Sequence, residues 1–311
     1  MKTSGDIMEG NELAAEHIPV LAKTLTEQIR LQPGFVMVDA TVGYGGHSLL
    51  FSQNLGPEGI IIGLDVDAKC IETAQRRLKD AGCRVILVRS NFSEIIECVH
   101  QEGMESVDFI LADLGLCSGQ LADRTMGLSF QTNMPLDMRM DKRLKTSAAD
   151  IVNKSSEKSL ADMIYRFGQE RSSRRIARFI VRQRRHRPIA STGQLAAIVC
   201  EALGKSAAAG KRKEKIHPAT RTFQALRIAV NNELENLQTL LAAGPKLLKE
   251  NGCMAIISFQ SLEDRLVKHS FIQNKKDGIY SQTSKKPITA SPEEITANPR
   301  ARSAKLRIAQ R

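Results

Sequence analysis

Three aspartates stand where an apolar run gives way to polar sequence. They are Asp39 in "FVMVDA", Asp65 in "GIIIGLDVD" and Asp113 in "VDFILADLG". Behind Asp39 come Gly43, Gly45 and Gly46 of "TVGYGGHS", where a missing Cβ lets the backbone turn tightly and approach a ligand. The strict G-x-G-x-x-G spacing fails because position 48 is serine. An acid just before the glycines suits the S-adenosylmethionine-binding form of this turn better than the nicotinamide form, although the turn alone excludes neither. Glycines that merely pack helix on strand are the plainer alternative. Asp65 is placed to accept hydrogen bonds from ribose hydroxyls. Phe92, in "SNF", either faces an adenine ring or belongs to the core. Asp113 lies beside the crevice at the strands' carboxyl ends, where open α/β sheets bind ligands. Four residues further on, Cys117 raises a second chemistry, attack by a thiolate.

These positions need a scaffold, and the pattern supplies one. "FVMVDA", "GIIIGLDVD", "RVILVRSNF" and "VDFILADLG" read as buried strands separated by helical stretches such as "AKCIETAQRRLKDAG". Such alternation predicts βαβ units and a parallel, doubly wound sheet. From Asp141 to Ile216 no strand-like run occurs, only helical segments such as "SLADMIYRFG" and "SSRRIARFIVRQRR". A long helix follows, "TFQALRIAVNNELENLQTLLAAGPKLL", which Pro245 is expected to kink or break. "GCMAIISFQ" reads as a fifth buried strand, and "SAKLRIAQR" alternates as an edge strand does. Two consecutive domains would leave the fifth strand without a sheet to join. The expectation is one α/β domain, residues 1–120 and 215–311, interrupted by a mainly helical insert, residues 121–214, with 127–141 lining the cleft.

Composition narrows the function. The chain has 311 residues, 42% of them hydrophobic, and no run of 18 apolar residues to cross a membrane. Asp6, Glu9, Glu12 and Glu16 make the N-terminus unlike a secretory signal or an acid-poor transit peptide, and a short disordered lead-in is expected there. Six cysteines are scattered without a C-x-x-C pair, the pattern of a reducing, cytoplasmic compartment. The six histidines are equally scattered, so no metal site is visible. A net charge of +11 makes nucleic acid a candidate partner. Arg171, Arg174, Arg175 and Arg178 are spaced to share one helical face, where like charges repel unless a polyanion is present. "KRKEK" at Lys211 to Lys215, and Arg300, Arg302, Lys305 and Arg307 in the tail, add to the field. A solvated face with some internal ion pairs is the alternative. Aromatic residues make up only 4% of the chain, so shape and phosphate recognition fit better than extensive base stacking.

Several blocks together resemble one family, the bacterial 16S ribosomal RNA cytosine-N4 methyltransferases. They are "HIPVL" at His17, "DATVGYGGHS" at Asp39, "DLG" at Asp113, "PLDMRMD" at Pro135 and "ERSSRRIARFIV" at Glu170. "HPATRTFQALRIAVNNEL" at His217, "SFQSLEDR" at Ser258 and "NPRARSAKLRIA" at Asn298 complete the set. The resemblance implies a class I, Rossmann-like methyltransferase sheet with an inserted helical substrate-recognition domain. It implies methyl transfer from S-adenosylmethionine to a decoding-centre cytosine, in the P-site region of 16S rRNA, within the small ribosomal subunit or its precursor. No metal and no membrane are implied, and a homodimer stays open. Cofactor contacts carry over onto Gly45, Gly46, His47, Asp65, Phe92, Asp113 and Gln120. The chain departs from the family pattern at Cys117 and Gly119, at Met126 and Leu128, and at Gln260, where the family has histidine. A position that only hydrogen-bonds tolerates glutamine, but an essential proton acceptor does not. An altered paralogue that binds RNA without turnover therefore remains the alternative, as does an amino methyltransferase of another nucleic acid.

Cys117 can be weighed against the D-x-P-C-S-G pattern of the RNA cytosine-C5 methyltransferases. Here the proline is missing, Cys117 follows Asp113 by four residues rather than three, and no cysteine follows the fifth strand. Cys117 therefore reads as a small apolar substitute for the serine of the resembling family. N4 methylation needs no covalent intermediate. It needs acceptors that turn the amine lone pair toward the methyl group, and such placement supplies roughly 7–11 kcal/mol. Asp113 or nearby backbone carbonyls are the expected acceptors. The base must be unstacked first, at about a few kcal/mol. Asp137, Arg139, Glu263, Asp264 and Arg265 either line its pocket or form ion pairs that lock the insert onto the sheet.

Overall fold

The structure is a computed structural model and describes residues 18–205 and 217–311. The lysine cluster 211–215 and the N-terminal carboxylates lie outside the described residues. The chain divides into two compact units, one running through Cys117 and resuming at Leu234–Arg311, the other spanning Ser118–Glu233.

The first unit holds one seven-stranded sheet in the order β3-β2-β1-β4-β5-β7-β6. Its strands are β1 (Val36–Asp39), β2 (Ile60–Leu64), β3 (Arg84–Val88), β4 (Val107–Asp113), β5 (Leu248–Ser258), β6 (Gln282–Thr283) and β7 (Lys305–Gln310). From β3 across to β5 all pairs are parallel, as the continuous apolar runs require, because such strands bury both faces. Successive residues serve opposite faces. Val38, Ile62, Ile110 and Ile256 enter one core, and Met37, Ile61, Phe109 and Ile257 enter the other. The helices Ile95–Gln101 and Glu233–Leu247 supply apolar residues to the first core, and Ala22–Gln28 and Gly46–Leu55 to the second. Winding outward from β1 to β3 and then returning to β4 leaves a switch point between β1 and β4. Crevices open there, at the strands' carboxyl ends.

Two expectations are corrected. The C-terminal strand is not an edge: β7 runs antiparallel to β5 and is covered on its far side by β6. The long helix does not break at Pro245. It ends at Asn231, Asn232 turns left-handed at φ 50°, and the next helix runs through Pro245 to Leu247. Asparagine tolerates that conformation better than most residues.

The second unit is helical: Ala148–Lys154, Glu157–Gly168, Ser173–Arg184, Thr192–Ala202 and Thr220–Asn231 surround a core of Leu160, Ile164, Ile176, Ile180, Leu195 and Leu226. Ser147 with Asp150, and Ser191 with Gln194, close capping boxes at two helix starts. Thr220–Asn231 packs directly on Glu157–Gly168. At Gly168 a Cβ would stand 2.4 Å from the Arg221 carbonyl oxygen, so only glycine permits this approach. That packing carries the unit to Glu233, past residue 214, where the sequence reading drew its boundary.

Candidate active site

The glycine turn is built around two carboxylates. Asp39, at the end of β1, accepts from the Ser48 hydroxyl at 2.7 Å and from the Thr41 amide at 3.3 Å. Asp65, just past β2, accepts from the Gly43 amide at 3.0 Å and from the Asp67 amide at 2.9 Å. Gly43 (φ 51°) and Gly45 (φ 75°) are left-handed. Their roles differ. A Cβ on Gly43 would meet nothing closer than the Thr41 carbonyl oxygen at 3.8 Å, whereas one on Gly45 would meet Leu78 at 3.1 Å and one on Gly46 would meet Pro19 at 2.8 Å. Gly43 leaves its backbone open to a ligand, and Gly45 and Gly46 are needed for packing.

Asp113 ends β4 and faces this turn. Its amide donates to Thr41 Oγ1 at 2.7 Å, and its Oδ1 accepts from the Gly115 amide at 3.0 Å. Its Oδ2 stands 3.5 Å from His47 Nε2. His47 is only 7% exposed, and neither ring nitrogen has a hydrogen-bond partner. A buried imidazole without partners is costly unless a ligand satisfies it. Burial pushes Asp65 up to about 7 and also raises Asp39, although His47 and Ser48 oppose the second shift. Phe92 opens a short 3-10 turn and is half-buried against the sheet core. It therefore satisfies the core reading without being fully buried.

The structure thus brings Asp113, His47, Asp65 and the glycines together at the carboxyl ends of β1, β2 and β4. Sequence reading missed Thr41, which ties β1 to β4 through the Asp113 amide, and Ser48, which holds Asp39. Neither residue type carries a signal at such a position.

The remaining candidates fall elsewhere. Gln120 is buried in the short helix Ser118–Ala122 of the second unit. Asp137 is held by Arg139 at 2.7 Å and by Lys142 at 2.9 Å. Burial raises its carboxyl, but these two cations outweigh that and leave it below the usual range. Glu263 is 3% exposed and caps its own helix, accepting from the amides of Phe259 and Gln260 and from Gln260 Nε2 at 2.7 Å. Asp264 accepts from Arg307 Nε at 2.6 Å, which overrides burial and holds its carboxyl low. Arg265 is exposed. Asp137, Glu263 and Asp264 are thus engaged by partners within their own units.

Of the arginine face, Arg174, Arg175 and Arg178 are exposed on Ser173–Arg184, and Arg171 is a correction: it lies in the turn before that helix. Arg178 stands 4.0 Å from Glu157, and Arg175 leans over the Phe179 ring at 5.9 Å. In the tail, Arg300 and Arg302 are exposed, but Arg307 is buried against Asp264 and adds little to the surface field.

Among the described residues no cluster of metal-ligating side chains is found, and no helix is long and apolar enough to cross a membrane.

The family model described as the MraW methylase family matches residues 14–311. The chain is 48% identical over 295 residues to the ribosomal RNA small subunit methyltransferase H of Cyanothece sp., covering 95% of this chain and 94% of that protein. The protein of the same name from Picosynechococcus sp. is 48% identical over 300 residues, covering 96% of this chain and 98% of the relative. That from Acidobacterium capsulatum is 45% identical over 302 residues, covering 95% and 98%.

Proposed function

Because the chain belongs to the MraW methylase family, we propose that it methylates small-subunit ribosomal RNA, at the exocyclic N4 of a decoding-centre cytosine. S-adenosylmethionine is the methyl donor, and the crevice suits it. Gly43 leaves backbone accessible, Asp65 offers acceptor capacity to ribose hydroxyls, and His47 is an orphaned polar ring. Asp39, Asp65 and Asp113 are all acidic, and a cation beside them favours the ionised forms that burial opposes at Asp39 and Asp65.

When bound, the donor supplies a methyl group already activated on positively charged sulfur. The chain's own task is to present an amine. Asp113, fixed through Thr41 and Gly115, accepts the N–H of the cytosine amine and turns its lone pair toward the methyl group. As the methylated nitrogen becomes acidic, Asp113 Oδ2 takes its proton. A strand-end carboxylate 3.5 Å from a buried imidazole that makes no hydrogen bond is the observation that carries the reading. Exocyclic amine chemistry uses an acceptor here, whereas C5 chemistry uses a nucleophile. The nearby thiol, Cys117, is instead engaged with Cys70, their sulfurs 3.5 Å apart.

Gln260 is compatible with turnover. Its side chain caps the helix Ser261–Lys276 and bonds Glu263. A hydrogen-bonding cap tolerates glutamine, which favours an active enzyme over a binding-only paralogue. Arg174, Arg175 and Arg178 form an exposed basic surface on the second unit, suited to phosphate contacts.

The test uses small subunits from a strain lacking the homologous activity, incubated with the purified chain and donor, then nucleoside mass spectrometry. N4-methylcytidine is expected. C5-methylcytidine, or no transfer to subunits or their precursors, would overturn the proposal. Asp113→Asn should cut kcat by about 10²- to 10⁴-fold.

A further inference from the structure

Cys70 and Cys117 lie 47 residues apart in sequence, yet their sulfurs approach to 3.5 Å. Cys70 sits in the first turn of the helix Ala68–Arg77 and is 1% exposed. Cys117 is half-buried and lies outside any helix or strand, after β4. The Tyr44 hydroxyl also bonds Cys117. A disulfide needs sulfurs about 2.0 Å apart, so the gap to close is roughly 1.5 Å. Rotation of the Cys117 side chain in a loop is the movement available for that. The family resemblance places serine at position 117, so methyl transfer does not require this pair.

We propose that Cys70 and Cys117 form a redox-modification site, at which an oxidant of the peroxide class converts the two thiols into an intramolecular disulfide. The more exposed Cys117 attacks first. Its thiol gives up a proton, the thiolate forms an S–O bond while the peroxide O–O bond breaks, and the departing alkoxide takes up that proton, giving a sulfenic acid and releasing ROH. Cys70 then attacks the Cys117 sulfur. An S–S bond forms, the S–O bond breaks, and the departing hydroxide takes the Cys70 proton to leave as water. In sum, two thiols and ROOH give one disulfide, ROH and water. Hydrogen bonding to Cys117, together with burial, pushes the Cys70 thiol well above its usual range. At 1% exposure Cys70 is shielded from an oxidant, so it is the resolving partner rather than the first nucleophile. The bond would bridge the segments that follow Asp65 and Asp113.

The test does not depend on the methyl-transfer reading. The full chain is reduced, exposed to hydrogen peroxide, alkylated and digested without reductant, and the peptides are weighed. Expected is a linked peptide pair containing Cys70 and Cys117, two hydrogens lighter than the reduced pair, with the other four of the six cysteines alkylated. In Cys70→Ala a diketone probe should trap sulfenic acid at Cys117. In Cys117→Ser the thiol at Cys70 should survive peroxide. Thermal melts check that both variants fold, and the wild-type map stands without them. The proposal falls if all six thiols are alkylated after peroxide, if other cysteines cross-link first, or if Cys117 over-oxidises while Cys70 stays free.

Discussion

Asp65→Asn separates a ribose-binding carboxylate from a merely structural one. In the folded chain Asp65 titrates near 7, mainly because it is buried, against 3.8 for the ordinary group. The folded protein therefore keeps a proton that the unfolded chain has lost. This stabilises the fold fully below about pH 4, and the contribution disappears as pH rises through about 7. A ribose donating hydrogen bonds to the ionised form relieves that cost, so donor binding should expel the proton. About a tenth of Asp65 is ionised at pH 6 and about nine tenths at pH 8, and S-adenosylmethionine affinity should rise by up to roughly ninefold across that window.

The asparagine variant cannot ionise, so its affinity should be flat in pH over the same range. At pH 8 it also lacks a hydrogen bond to a charged acceptor, worth about 1.5–3 kcal/mol, or roughly 10- to 100-fold in Kd. Calorimetry in two buffers of different ionisation enthalpy reads both the affinity and the protons released. Circular dichroism must show the variant folded, because Asp65 also holds the amides of Gly43 and Asp67. A folded variant with the wild-type Kd at pH 8, or with the wild-type pH slope, would refute the assignment of Asp65 to the ribose.

Replacing Arg174, Arg175 and Arg178 with glutamine should flatten the plot of log RNA affinity against log salt by about 0.7–0.9 for each phosphate left without its cation. The melting temperature should hardly move, since all three are exposed; a lower melting temperature with an unchanged slope would exclude them as RNA-binding residues. Asn231→Ala should destabilise the helical unit by about 2–4 kcal/mol, read by denaturant titration, because its side-chain amide serves Met138, Met140 and Arg227 at 2.8–2.9 Å. Cys117→Ser should retain most methyl transfer and form no covalent adduct with a fluorinated cytosine substrate, whereas an adduct in the unmodified chain would sink the N4 reading.

The parallel sheet was legible because its strands are buried on both faces and bounded by glycine and aspartate. Asp39, Asp65 and Asp113 were legible for the same reason, as polar atoms that stop an apolar run. Order within the sheet was not. Alternation in "SAKLRIAQR" is common to edge and covered strands, and β6, only two residues long, leaves no pattern to show that it covers β7. The helix break at Asn232 was hidden because apolar residues continue on both sides of it, and proline was the louder signal.

Charge shows the same limit more sharply. Arg174 and Arg307 look alike in sequence, each within a basic stretch counted toward a net charge of +11. Arg174 is solvent-exposed, while Arg307 is 4% exposed with its guanidinium on Asp264, 43 residues away. Burying a guanidinium without its carboxylate would be prohibitive, so Asp264 and Arg307 form one internal pair joining helix to strand. Net charge sums over both kinds and therefore cannot say where a polyanion would bind. That needs the exposed subset, and in the second unit this subset includes Arg174, Arg175 and Arg178 on a single helix. Phosphate recognition is accordingly better tested there than along the C-terminal strand, whose arginine already has its counter-ion.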